Sequence, residues 1–446
     1  MKVAVIGCGL RTPLLLYGLT QPGLGVSRVT LYDHAPHRAQ LMAALGKAAA
    51  PDSSLEIIAC DDAEEAVEDG SFVIHSIRAG GMEGRAKDER IAVDYGFAGQ
   101  ETTGPAGFAM ALRTVPAALH YAELVARKAP RAWMINFTNP AGLITQAMAA
   151  HANPRVVGIC DTPAELFFRI SLALGEPLEN IKCDYFGLNH LGWVRQVQRS
   201  GEDVTAVLLQ DDDRLNRLYP APLFPPALIR SLGMIPTEYL FFYYRHRLAL
   251  QNQLAVGATR GEELHRLNDR LSFRMESAFH RGDIRKALHL YRDYLNRRNA
   301  SYFKLEGSGL SALDQADVDW DPFQGETGYH RIAVDAIQAL SGEQPSRMVL
   351  NVKNQGAIPD LAPEDVVEIP CLVDRSGPRP IPAGPLPDTV RGLTIAVKNY
   401  ERLTIKAAIR RDIPLAALAL FTNPIVADWD AAWGLAHAYS GSLKKP

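Results

Sequence analysis

Apolar residues in the first 160 positions fall into short runs separated by helix-like stretches. Lys2–Ile6, Val29–Asp33, Leu55–Ala59, Phe72–Ile77, Ala132–Phe137 and Val156–Ile159 read as strands, each bounded by turn residues and too short for a helix. Leu14–Leu19 and Ala63–Glu68 read as helices between them. Strand following helix at this pace predicts an α/β fold with a parallel, doubly wound, Rossmann-like sheet. After about residue 175 the pattern changes. Ile181–Phe186 and Trp193–Val197 alternate like strands of a mixed sheet, and residues 202–300 are rich in helix formers and charge. Met348–Val352 and Val366–Pro370 resemble two further strands, followed by a Pro/Gly-rich loop over 378–387 and two or three helices over 389–439. The expected organisation is a Rossmann-like unit over residues 1–175 and an α+β unit over 176–446 with C-terminal helices.

The 446 residues exceed one ordinary core, which fits that division. A net charge of -3 gives no general attraction for nucleic acid or an anionic membrane, so neither is expected as a partner. The apolar N-terminus is interrupted by Arg11 and Pro13, unlike a signal peptide, and no apolar stretch approaches the roughly 20 residues of a membrane helix. Five widely spaced cysteines without a C-x-x-C pair suit a reduced, cytoplasmic protein.

The candidate chemistry lies where strands end. Gly7-Cys8-Gly9 follows the first strand and Asp33 ends the second. That layout suits a dinucleotide: glycines let the backbone approach a pyrophosphate, and the acid accepts from ribose hydroxyls, favouring NAD over NADP. Thr12 stands where a third glycine is expected, so a purely structural turn remains open. Between Arg78 and Thr114 runs a polar, glycine-rich segment of the kind that carries binding functions as a long loop; a solvated helix face is the alternative for Arg85–Arg90. Asn139 is placed to cap the helix after its strand. Cys160 ends the sixth strand and His190 lies in a polar interruption between two later ones, so the pair could meet at one metal ion. Taken singly, a buried thiol and a hydrogen-bonded histidine are the plainer readings. The aromatic run Ile235–Tyr244 reads mostly as core or subunit interface.

Ordered motifs sharpen this picture. They include Gly84-Arg85-Ala86-Lys87-Asp88-Glu89-Arg90, Gly99-Gln100-Glu101-Thr102-Thr103-Gly104-Pro105 and Asn136-Phe137-Thr138-Asn139-Pro140. Further on come Gly158-Ile159-Cys160-Asp161-Thr162-Pro163, Gly187-Leu188-Asn189-His190-Leu191-Gly192-Trp193 and Asn351-Val352-Lys353-Asn354-Gln355-Gly356. Through them the chain resembles glycoside hydrolase family 4, the NAD- and metal-dependent glycosidases, and most of all its 6-phospho-β-glucosidase branch. The family is an exception to the two-carboxylate rule. The resemblance implies oxidation at sugar C3, deprotonation at C2, elimination of the aglycone, water addition and re-reduction, with NAD and Mn²⁺ (or another divalent metal) as cofactors. It implies Cys160 and His190 as metal ligands, Tyr239 as the C2 base and Asp161 as the general acid. Gly7, Gly9, Asp33, Arg78 and Asn136 are assigned to the cofactor, and Arg85, Arg90, Asn139 and Asn189 to the sugar. A homodimer or homotetramer is also implied.

Two departures keep alternatives open. Asp161 after Cys160 resembles members acting on α-linked phosphosugars, where β-enzymes usually show Cys-Asn. Gly325-Glu326-Thr327-Gly328-Tyr329 stands where the family has Arg-Gly-Gly before a tyrosine. The same chemistry on an α-linked or non-phosphorylated glycoside, an NAD-dependent sugar dehydrogenase and a silent NAD-binding protein are therefore rival readings.

Overall fold

The computed structural model describes residues 1–153, 155–311, 321–325 and 328–443. Part of the Gly325–Tyr329 stretch singled out above lies outside them. The alternation of the first half builds the expected sheet. Strands β1 (Lys2–Ile6), β2 (Arg28–Tyr32), β3 (Glu56–Cys60), β4 (Phe72–His75), β5 (Trp133–Asn136) and β6 (Val156–Gly158) are all parallel, in the order β3-β2-β1-β4-β5-β6. The order in which strands are added reverses between β1 and β4, the switch point at which such sheets bind ligands. Both faces of the strands are apolar because helices cover both. These are α1 (Thr12–Leu19), α2 (Pro36–Ala49), α3 (Ala63–Val67), α4 (Gly81–Asp94), α5 (Gly104–Lys128), α6 (Ala141–His151) and α7 (Thr162–Leu174).

The second half contributes to both sheets. Strands β7 (Ile181–Leu188), β8 (Leu191–Arg199), β9 (Glu202–Asp203) and β10 (Ile235–Pro236) form a separate antiparallel sheet. Strands β11 (Ser346–Lys353), β12 (Val366–Asp374) and β13 (Gly377–Pro380) extend the first sheet antiparallel beyond β6. The segment expected as a Pro/Gly-rich loop thus begins with an edge strand, where proline is tolerated. Three helices, Asp388–Arg410, Ile413–Thr422 and Trp429–Ala438, follow.

One carboxylate locks the two sheets together. Glu368 on β12 is 1% exposed and accepts from Tyr185 Oη of β7 at 2.6 Å and from Asn189 and Asn351 side-chain amides at 2.9 Å each. Tyr185 needs room for that bond: a Cβ on Gly192 would lie 2.0 Å from its hydroxyl. The Asn189-His190 turn between β7 and β8 is thereby held beside β6 and its carboxyl end.

The polar segment from Arg78 to Thr114 is not a long loop. It folds as α4 and the start of α5, and the Arg85–Glu89 face is buried rather than solvated, with the two side chains 4% and 0% exposed. Among the described residues no helix is long and apolar enough to cross a membrane. All five cysteines are buried and free of disulfides.

Candidate active site

A cavity of about 1220 Å³ runs along the carboxyl edge of the main sheet, from Asp33 past Gly7 and Gly9 to Asp161 and Tyr239. At its β1 end, Gly7 adopts φ +91°, and a Cβ there would sit 2.5 Å from Ser76 O, so only glycine lets the turn pass this close to β4. Gly9 has nothing within 4 Å of its missing Cβ and exposes bare backbone to the cavity, ahead of α1. Asp33 accepts from Cys8 N at 2.8 Å and Ala35 N at 3.0 Å. These bonds fix the carboxylate at the cavity rim. An Asp33→Ser variant is expected to bind NAD about tenfold more weakly while losing its bias against NADP; competitive titration of both nucleotides measures it.

The central pair comes together. Cys160 Sγ lies 3.3 Å from His190 Nε2, although the two residues are 30 apart in sequence and sit on different sheets. His190 is held at φ +61° in its turn, and its Nδ1 lies 2.8 Å from Thr102 Oγ1. The Thr102 hydroxyl donates to Gln100 Oε1 at 2.7 Å, so it accepts from His190, and this network assigns the imidazole proton to Nδ1. Nε2 then carries a lone pair toward the sulfur. Burial pushes the His190 pKa down to about 3, which keeps the ring neutral, the form that ligates metals. Burial, with Glu368 and Asp161 nearby, pushes the Cys160 thiol well up, so a bound cation would be needed to hold the thiolate. This donor pair fits a divalent ion. Among the described residues no third Cys, His, Asp or Glu joins it.

Tyr239 stacks flat on the His190 ring, centroids 3.7 Å apart and planes 3° from parallel, and lines the cavity. Asp161 stands at the start of α7 and also lines the cavity. Its carboxyl is raised by burial and lowered by Arg11, with the net shift upward, which suits a proton donor. Phe241, in contrast, is a core residue, as expected for most of that aromatic run, while the equally buried Phe242 reaches the cavity wall.

The other expected contacts divide. Arg78, Arg85 and Asn139 line the cavity. Arg78 and Arg85 share Glu101 as partner, Arg85 at 3.1 Å, and Arg85 also bonds Glu89 at 2.7 Å. Burial raises the Glu101 carboxyl, but Arg78, Arg85 and Arg298 outweigh it and hold it far below the usual range. Asn139 does not cap α6; the cap position is Pro140, with no side-chain bond. Asn136, expected on the cofactor, lies fully buried beneath the edge, where its amide binds Thr138 O, Ala141 O and Thr145 and accepts from Thr138 N. A polar residue at a strand end is here spent on the turn that follows. Arg90, expected on the sugar, forks instead onto Glu262 at 2.5 and 2.8 Å and ties α4 to the helix Arg260–His280. Asn189 is taken up by Glu368 and Gly142 N and acts behind His190.

Among the cavity residues that the sequence did not single out are Glu238, Arg298, Tyr302 and Glu306. Arg298 ends the charged helical region and Tyr302 and Glu306 follow directly after it, where nothing in the spacing distinguishes a cavity-facing side chain from a solvated one. Burial pushes the Glu238 pKa up to about 8.

Comparison with known proteins gives consistent matches. The model described as family 4 glycosyl hydrolase matches residues 2–175, and that of the family 4 glycosyl hydrolase C-terminal domain matches residues 185–426. The chain is 29% identical over 436 residues to 6-phospho-beta-glucosidase BglT of Thermotoga maritima, covering 97% of this chain and 96% of that protein. It is 26% identical over 456 residues to phospho-alpha-glucosidase PagL of Clostridium acetobutylicum, covering 97% and 95%. The solved Thermotoga maritima 6-phospho-beta glucosidase with manganese, NAD+ and glucose-6-phosphate superposes with TM-score 0.80 at 28% identity, over 98% of this chain and 97% of that one. Malate dehydrogenase from Plasmodium falciparum shares the fold at TM-score 0.53 and 13% identity, over 92% and 99%.

Proposed function

Since this chain belongs to the family 4 glycosyl hydrolases, we propose that it hydrolyses 6-phospho-β-glucosides by C3 oxidation and C2 elimination. The observation that carries the reading is the Cys160–His190 pair packed behind Tyr239, which lines one end of a cavity whose other end has a dinucleotide turn. When bound, NAD accepts and returns a hydride at sugar C3, and a divalent cation such as Mn²⁺ polarises the sugar's O2 and O3. Cys160 and His190 hold the cation, and Gly7, Gly9 and Asp33 hold the dinucleotide. Tyr239 takes the proton from C2, which is acidic once C3 is a ketone. Asp161 supplies a proton to the departing C1 oxygen. The buried walls exclude bulk water while the unsaturated sugar is present.

The sugar phosphate finds its cations on the Arg78, Arg85 and Arg298 side of the cavity. Relatives of both anomeric kinds match 97% of the chain, and Asp161 follows Cys160 as in the α-specific pattern, so the α-linked reading is the specific competitor. Paired assays decide between them. The 4-nitrophenyl 6-phospho-β-glucoside is expected to exceed both its α-anomer and the unphosphorylated β-glucoside in kcat/KM by at least about 100-fold. Equal turnover without the phosphate, or preference for the α-anomer, overturns the substrate assignment.

Residues 1–175 serve the dinucleotide and also lend Arg78, Arg85, Cys160 and Asp161 to the sugar, and 176–446 serve substrate and self-association in this reading. A homodimer or homotetramer is supported by exposed Leu418, Phe421, Trp429 and Trp433 on the C-terminal helices, and a reduced, cytoplasmic setting by five free cysteines.

A further inference from the structure

Behind the proposed base stands a second tyrosine. Tyr302 Oη lies 3.2 Å from Tyr239 Oη and 3.2 Å from Glu238 Oε1. Glu238 is 6% exposed, and its Oε1 also accepts from Thr162 Oγ1 at 3.1 Å, two residues after Cys160. The Tyr302 ring is fixed from two sides, by the Arg260 guanidinium 5.6 Å over its face and by Phe303 edge-on at 4.8 Å. The chain Glu238–Tyr302–Tyr239 therefore joins two segments, with Thr162 adding a third, that meet only in the folded protein.

A hydroxyl has one proton, so Tyr302 can donate to only one of its two neighbours. An ionised Glu238 would claim that proton and leave Tyr239 as the donor, turned away from the sugar. Glu238 is instead pushed toward the neutral form, by burial first and with Asp161 adding to it, against Thr162 and Tyr302. A neutral carboxyl donates its own proton to Tyr302, and Tyr302 then donates to Tyr239. The Tyr239 oxygen becomes the accepting end of the chain, where a base has to be.

Resting on the glycosidase reading, we propose that Tyr302 is a positioning residue for C2 deprotonation: backed by Glu238, its hydroxyl holds the Tyr239 oxygen as an acceptor facing the sugar. Nothing in the elimination requires this residue for hydride transfer, and that separates its two expected signatures. The test uses the enzyme loaded with NAD and Mn²⁺ and a 4-nitrophenyl 6-phospho-β-glucoside carrying deuterium at C2 or at C3. Tyr302→Phe, which keeps the ring, is expected to lower kcat about tenfold or more with KM within about threefold. Its C2 isotope effect rises above that of the wild type while the C3 effect falls toward one, because proton removal becomes more rate-limiting. Glu238→Leu moves both isotope effects in the same directions and decides the matter if Tyr302→Phe does not fold, as judged by NAD binding. Isotope effects unchanged from the wild type, whatever happens to kcat, overturn the positioning role alone. A wild type that fails to exchange C2 hydrogen with solvent overturns the elimination reading and this inference with it.

Discussion

Replacing Cys160 with serine is expected to abolish metal-dependent turnover, lowering kcat by at least about 100-fold. Serine keeps the volume and a polar atom, but its hydroxyl is not ionised near neutral pH and is a poor partner for a cation facing a single imidazole. His190, with its Nδ1 proton committed to Thr102, cannot compensate, and no further Cys, His, Asp or Glu completes a cluster among the described residues. NAD binding should change less than about twofold, because Asp33 and the Gly7–Gly9 turn are separate from the pair. Metal content per subunit after gel filtration and a nucleotide titration check the two halves. A serine variant that keeps both its metal and its turnover would remove Cys160 from the coordination scheme.

Tyr239→Phe is expected to cost about 10²–10⁴ in kcat by removing the proton acceptor. Its signature separates a glycosidase from a simple dehydrogenase. In the wild type the hydride is returned, so no net reduced nicotinamide accumulates, and product formed in deuterated water carries deuterium at C2. In the variant the C3 oxidation remains available, so reduced nicotinamide should build up toward one equivalent per subunit while C2 exchange disappears. The stacked His190 ring, 3.7 Å away, keeps a phenylalanine in the same plane, so metal loss should not accompany the change. Continued C2 exchange would transfer the base role to another group.

What could be read from the chain was whatever is local. The β1–α1–β2 unit announces itself through an apolar strand, a glycine turn and an acid within about 30 residues, all carried by short-range rules. Cys160 and His190 were nameable because each sits at a strand end or turn, and both ends converge. The failures have a common cause. Along α4, arginines and glutamates neutralise one another inside the fold, so polarity there stopped reporting exposure, and the segment looked like a loop. Asn136 and Arg90 carried the same polar signature as a ligand contact and proved to be internal ties. Glu238, Tyr302 and Glu368 matter through partners 64 to 183 residues away, a relation that spacing along a chain does not encode.

The Glu368 bridge carries a thermodynamic consequence. Thiolate and imidazole ride on opposite sides of a seam that this carboxylate stitches shut, so a cation between them can be captured only when the seam is closed. Ion capture and closure must then reinforce one another, and metal should raise the melting midpoint by mass action even with no sugar present. The ion would serve as a clasp as well as an electrophile, and chelation would loosen the protein as it silenced it.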